Sequence, residues 1–410
     1  MAKSIIVKSG LAVLAVAAFS LVSSSLVTPA AAAPLTNAEL RPLFALDRDL
    51  AEGKELATSN CAKCHGLDGI SATKEAPHIA AQRPTYIYRE LKAYQARLRT
   101  SSDMYDKVKF LSDDALVKVA AYYGSLEPPA APTAPAPKIV DAFSAGKAAA
   151  AGCVKCHGEK FISSKPGIPN LIGFEPKYFV ETLKAYKAGD RKLDEKNEEM
   201  NKAVEALSEK DLLNVAIYIG LHKENLTHAQ TPIEGNAAAI TKDKLTACAK
   251  CHGEDGIGTS PATPSIAGQD ATYMLKALKS YKDSSRDDDV MTPRAKKLNE
   301  QEMKDFVAYF ASLTPKGSSV LKPLTAPEWA EKCDHCHGVN GNSSRPEVPA
   351  LAGQKLDYLA DVLRAYRAGE RQSSEMSAMT SVLSDDDISA IAAFYAYQKA
   401  RSVVFVTVPK

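Results

Sequence analysis

The chain has 410 residues, 45% of them hydrophobic and 24% charged, an ordinary globular composition. Its 51 Lys and Arg nearly balance 49 Asp and Glu, and a net charge of +2 leaves no one-sided field for nucleic acid or an anionic membrane surface. All eight cysteines fall in four C-x-x-C pairs, so the cysteine pattern, more than the length, governs the organisation expected.

Residues 1–33 read as a secretory signal. Lys3 and Lys8 precede the apolar run 11–22, and the small residues at 29–33 suit cleavage after Ala32 or Ala33. The run is shorter than the roughly 20 residues a bilayer span needs, and no later stretch is apolar enough. The expectation is a periplasmic protein, with membrane association only if the N-terminal signal is retained.

The rest of the chain is one unit written four times, with a C-x-x-C-H-G frame at 61–66, 153–158, 248–253 and 333–338. Counting from the first cysteine, a proline stands at +16 (Pro77, Pro169, Pro264, Pro349). A tyrosine stands at +25 (Tyr86, Tyr178, Tyr273, Tyr358) and another eight later (Tyr94, Tyr186, Tyr281, Tyr366). An arginine follows after five more: Arg99, Arg191, Arg286, Arg371. Then comes a methionine, Met104, Met291 and Met376 at +43 and Met200 at +47. A leucine lies seven beyond each methionine. The four extra residues of the second copy fall in the polar stretch after Arg191.

This register predicts an all-α chain of four tandem domains, at 45–126, 138–222, 233–314 and 324–400. Each has a helix leading into the cysteines, one around the tyrosine pair and one opening at an acidic cap such as Ser112-Asp113 or Ser384-Asp385. Residues 127–137 form a Pro/Ala linker, extended and semi-rigid. Residues 401–410 are a tail in which 402–408 patterns weakly as a strand.

C-x-x-C-H is the attachment sequence for c-type haem. Two thiols on one helical turn form thioethers with the porphyrin, and the next histidine presents a ring nitrogen to the iron. The cofactor-binding residues are therefore Cys61, Cys64, Cys153, Cys156, Cys248, Cys251, Cys333 and Cys336, with His65, His157, His252 and His337 as iron ligands. Disulfides or paired zinc sites would suit the cysteines alone, but neither explains a histidine after every pair. A thioredoxin-like motif would need a βαβ context. Met104, Met200, Met291 and Met376, in register, supply the second axial ligand, a soft thioether that favours ferrous iron. Met379 competes with Met376, and the common offset favours Met376. Met274 and Met303 read as core filler. The +16 prolines are placed to accept a hydrogen bond from the histidine's other nitrogen. For the tyrosines and arginines, contact with haem propionates and plain packing or a solvated helix end are equal readings. His78, His222, His228 and His335 have no repeat partner and read as surface residues.

Each unit thus resembles a class I cytochrome c domain of the cytochrome c4 / c553 type, in which two such domains stand in tandem. The resemblance covers nearly all of 45–400 and looks like a doubled c4 arrangement, leaving open whether units 1–2 and 3–4 pack together. It implies four covalently bound haem c groups on the cysteines, histidines and methionines named above. The "IAGQ" at 266–269 and "LAGQ" at 351–354 match the family pattern, the first copy has "IAAQ" and the second "LIGF". The second copy departs most, which places Met200 in doubt, and Phe394 stands where the others have Tyr122, Tyr218 and Tyr309. The function expected is a tetrahaem carrier of single electrons between redox-protein donor and acceptor, with no catalytic residue and no small-molecule substrate. The alternatives are a cytochrome subunit of a dehydrogenase complex and, less favoured, a haem enzyme with one open sixth position.

Overall fold

The structure is a computed structural model describing residues 34–137, 139–191, 197–223 and 234–402. The expected signal segment, most of the expected strand at 402–408, residues 192–196 of the insertion and His228 lie outside the described residues. Regular structure among the described residues is helical throughout.

Each repeat closes around its own apolar core. In the first, Asp47–Asn60 runs into the one-turn helix Ala62–His65, followed by Pro84–Gln95, Ser102–Val108 and Asp113–Gly124. The second has Ala142–Ala149, Val154–His157, Pro176–Ala188, Asn197–Glu205 and Glu209–Gly220. The third has Lys242–His252, Ala271–Lys282, Met291–Ala295 and Glu300–Ser312. The fourth has Ala326–His337, Leu356–Arg367, Ser374–Thr380 and Asp385–Ala396. The last helix of each unit contributes the most buried residues, and its spacing explains its burial. Leu116, Ala120 and Tyr123 recur at four- and three-residue steps and are all fully buried. Its start is fixed as the acidic caps indicate: Ser208 with Asp211, Asn299 with Glu302 and Ser384 with Asp387 form reciprocal capping boxes.

One set of elements adds to the expected helices. The polar methionine segments form short helices of their own. A side-chain oxygen three residues before the methionine accepts its backbone N–H in three units: Ser101 to Met104 at 3.3 Å, Asp288 to Met291 at 2.7 Å and Ser373 to Met376 at 3.3 Å. A single cap of this kind suffices for one or two turns held between larger helices.

The units do not pair in chain order. Unit 1 packs on unit 4, and unit 2 on unit 3. Gln82 (unit 1) donates to Ala350 O at 2.9 Å and accepts Ala350 N–H at 2.8 Å; Gln354 (unit 4) does the same to His78, at 2.8 and 2.9 Å. These four bonds relate equivalent positions by an approximate two-fold axis. In the other pair Gln269 brackets Asn170 at 2.9 and 2.8 Å. The reciprocal glutamine is missing, because the second copy has Phe174 there, and Asn170 Nδ2 instead donates to Gly268 O at 3.2 Å. The Tyr86 N–H donates to Pro346 O at 3.0 Å and the Tyr178 N–H to Pro261 O at 3.1 Å, equivalent contacts in the two pairs.

The linkers make this nesting possible. Between units 3 and 4, Ser318 Oγ donates to Gly220 O at 2.7 Å and Ser319 to the Glu175 carboxylate at 2.7 Å, so the chain crosses unit 2 before reaching unit 4. Lys223 Nζ donates to Val320 O at 2.6 Å along the same path. Gln354→Ala removes two part-buried interface bonds, an expected cost of about 2 kcal/mol. Amide hydrogen exchange should show His78 losing protection while Asn170 keeps its own, and Gln269→Ala should give the opposite result.

Candidate haem sites

Each C-x-x-C-H-G frame closes a helix, and the glycine is required by geometry. Gly66, Gly158, Gly253 and Gly338 have φ between 73° and 81° with ψ near 155°, a conformation essentially restricted to glycine. A Cβ there would lie 2.4–2.7 Å from the carbonyl oxygens of Ile70, Ile162, Ile257 and Asn342 respectively. The turn directs the chain back over the histidine just passed.

The four histidines are alike. His65, His157, His252 and His337 are buried, and the Nδ1 of each lies 3.1, 2.9, 2.9 and 3.0 Å from the carbonyl oxygen of Pro77, Pro169, Pro264 and Pro349. Burial holds all four imidazoles below the ordinary histidine range, against the opposing pull of the proline carbonyl. A neutral ring donating through Nδ1–H keeps the Nε2 lone pair for a metal and fixes the ring's orientation.

The cysteines are unpaired thiols, half-buried or exposed. Burial pushes the Cys61 thiol up to about 11 and raises Cys153, Cys248 and Cys333 too. A thiol so placed is a poor thiolate, so these four first cysteines are not activated nucleophiles. Zinc fares no better: among the described residues no cluster of three or more His, Cys, Asp or Glu could hold a metal ion. The donor set fits covalent c-type haem, with two thiols and one oriented imidazole per turn. Two buried guanidinium nitrogens, Arg83 Nη2 and Arg191 Nε, have no hydrogen-bond partner among the described residues.

Met104, Met200, Met291 and Met376 are each half-buried, and Met104 and Met200 pack against the cores of their units. Met274 and Met303 are buried on helices of unit 3, as filler should be, and Met379 is 41% exposed.

The arginines and tyrosines prove more than a solvated edge. Within each unit the guanidinium lies over the second tyrosine, 4.6, 5.1, 4.2 and 4.8 Å from the ring centres of Tyr94, Tyr186, Tyr281 and Tyr366. Across units it reaches the first tyrosine of the partner: Arg99 to Tyr358 Oη at 3.0 Å, Arg371 to Tyr86 Oη at 2.9 Å and Arg191 to Tyr273 Oη at 2.7 Å. Two further expectations are corrected. His78 is half-buried in the 1·4 interface and accepts the Ser71 N–H at 3.1 Å, while His222 packs edge-on against Phe161 and Tyr218. His335 is exposed, as expected. Tyr122 and Tyr309 donate to the carbonyls of Leu67 and Glu254 at 2.9 and 3.0 Å, a bond that Phe394 cannot make.

The model of the Cytochrome c family matches residues 50–126, 143–222 and 236–314, and that of the cbb3-type cytochrome C oxidase subunit III matches 326–394. Cytochrome c4 of Pseudomonas aeruginosa is 31% identical over 198 residues, 44% of this chain and 96% of its own. A thiosulfate dehydrogenase electron acceptor of Stutzerimonas stutzeri is 32% identical over 169 residues, 37% of this chain and 78% of its own. The solved cytochrome c4 of Acidithiobacillus ferrooxidans is 30% identical, covering 40% of this chain and 99% of that one with a TM-score of 0.37. Three matched segments plus a fourth c-type segment account for every C-x-x-C-H frame, and the chain belongs to the cytochrome c family as an electron-carrying c-type cytochrome.

Proposed function

We propose that the chain is an exported tetrahaem cytochrome that passes single electrons between redox proteins, each haem held by two cysteines, a histidine and a methionine. The observation that carries this is the fourfold identity of the site: a buried, neutral histidine on a proline carbonyl, at the same offset each time. When bound, haem supplies the one-electron ferric/ferrous couple. The chain's residues do the rest. The proline carbonyl holds the imidazole in one tautomer, the methionine segment would offer a thioether to the iron, and the apolar core surrounds the site.

His and Met together leave no open position for substrate, and this favours a carrier over an enzyme. Each single Met→Leu variant at 104, 200, 291 or 376 should lose one quarter of the sulfur-to-ferric-iron charge-transfer intensity and lower one midpoint potential. Met200 is the informative case, since its segment has four extra residues. A Met200→Leu chain with an unchanged spectrum would place another group, or none, on the second iron. A second reading is the electron-accepting subunit of a dehydrogenase, favoured by the named role of the thiosulfate dehydrogenase electron acceptor among the relatives. Reduction of the purified chain by a periplasmic dehydrogenase with its substrate, and not by the substrate alone, would support it.

A further inference from the structure

The two interfaces are built from the same positions but do not carry the same charge. At +29 the four units have Glu90, Thr182, Ala277 and Val362. In the 1·4 pair Glu90 accepts from both interface arginines, from Arg99 and from Arg371 Nη2 at 2.9 Å, and it is only 22% exposed. In the 2·3 pair Arg191 has Thr182 Oγ1 at 3.2 Å instead, and neither Arg191 nor Arg286 makes an ion pair among the described residues. Besides its burial, the groups acting most strongly on Arg191 are Tyr273, Tyr178, Tyr186 and Tyr281, none of them a carboxylate.

The tyrosines register the difference. Burial and Glu90 hold the Tyr86 hydroxyl far above its usual range, whereas Tyr178, equally buried but facing Arg191 and Arg286, is drawn down to about 8. The carboxylates beside the 2·3 arginines in sequence, Asp190 and Asp287, are exposed, where solvent and salt screen them. Exposed Glu370 stands in the same relation to Arg371.

These arginines stand close in sequence to the candidate axial methionines. Arg99, Arg286 and Arg371 each stand five residues before the methionine of their unit. Arg99 and, from unit 4, Lys355 lie within electrostatic range of His65. A half-buried carboxylate at such a site stabilises the ferric state, which carries one more positive charge than the ferrous. Its absence beside two arginines favours the ferrous state.

We infer that Glu90 sets the haems of units 1 and 4 at lower potential than those of units 2 and 3, so that the nested pairing divides the chain into a low-potential outer pair and a high-potential inner pair. Electrons entering at the outer pair would run downhill to the inner one. The inference rests on the four-haem reading above.

The test is a spectroelectrochemical titration of the intact holoprotein and three variants. Glu90→Gln should shift the two lowest midpoint potentials upward and leave the two highest in place. Glu90→Asp keeps the charge and should leave all four near wild type, which separates charge from packing. Thr182→Glu should shift the two highest downward. An unchanged Glu90→Gln titration, a shift confined to the two highest potentials, or equal shifts in Glu90→Gln and Glu90→Asp would overturn the inference. Fewer than four reversible haems in the wild-type chain would instead overturn the proposed function.

Discussion

Gly146→Val should unfold the second unit while leaving the others folded. Gly146 sits where the helix Ala142–Ala149 crosses Glu209–Gly220, and a Cβ there would lie 2.1 Å from the carbonyl oxygen of Asn214 and 2.7 Å from Tyr218 Cβ. The contact is with backbone, so no rotamer change relieves it and the two helices must separate. Gly53 makes the same close approach in unit 1, 2.2 Å from Lys118 O. Overpacking of a core commonly costs 1–3 kcal/mol; a backbone clash of this depth should exceed about 3 kcal/mol, a large share of what a small domain has. Limited proteolysis should cut within 142–220, and the melting curve should gain an early step. Gly152→Ala is the control, since nothing lies within 4 Å of a Cβ there, and it should melt as wild type.

Replacing Cys333 and Cys336 by alanine should leave three haems per chain and disturb unit 1 more than unit 3. The fourth unit buries few large apolar side chains of its own, chiefly Leu359, Leu383, Ile388, Ile391 and Tyr395. A porphyrin contributes much of the interior of a domain this small, and without it the unit should lose its fixed packing. Its partner is unit 1, through Gln354, Gln82, Arg371 and Tyr358. Intact mass counts the haems. Hydrogen exchange should then show the His78 amide deprotected and the Asn170 amide still protected. Loss of protection within unit 3 with His78 unaffected would mean that the units pair in chain order after all.

The repeat made the helices, their caps and the histidine–proline bond legible in the sequence, because each is a local relation recurring at a fixed offset. The pairing of units was not legible, and the reason is symmetry. Gln82, Gln269 and Gln354, like the Tyr/Arg register, mark an interface between like copies, but identical copies do not say which pairs with which. A signal was present: a glutamine kept in register in three copies, and a tyrosine and an arginine kept in all four. The break at Phe174 was visible too, and it corresponds to the one reciprocal glutamine bracket missing from the 2·3 interface. His78 and His222 were misplaced because a residue without repeat partners looks dispensable. In fact His78 lies in the interface, and His222 fills a niche beside Phe161 that only the second unit has. Glu90 was overlooked for the same reason.

One measurement bears on the central claim most directly: an optical and magnetic-dichroism redox titration of the purified holoprotein, quantifying the sulfur-to-ferric-iron charge-transfer band per haem. Four equivalents of that band, bleaching reversibly on one-electron reduction at positive potentials, are predicted. A high-spin component, or a strongly negative potential with fewer than four equivalents, would contradict four closed His/Met sites and return the enzyme reading to consideration, starting at Met200.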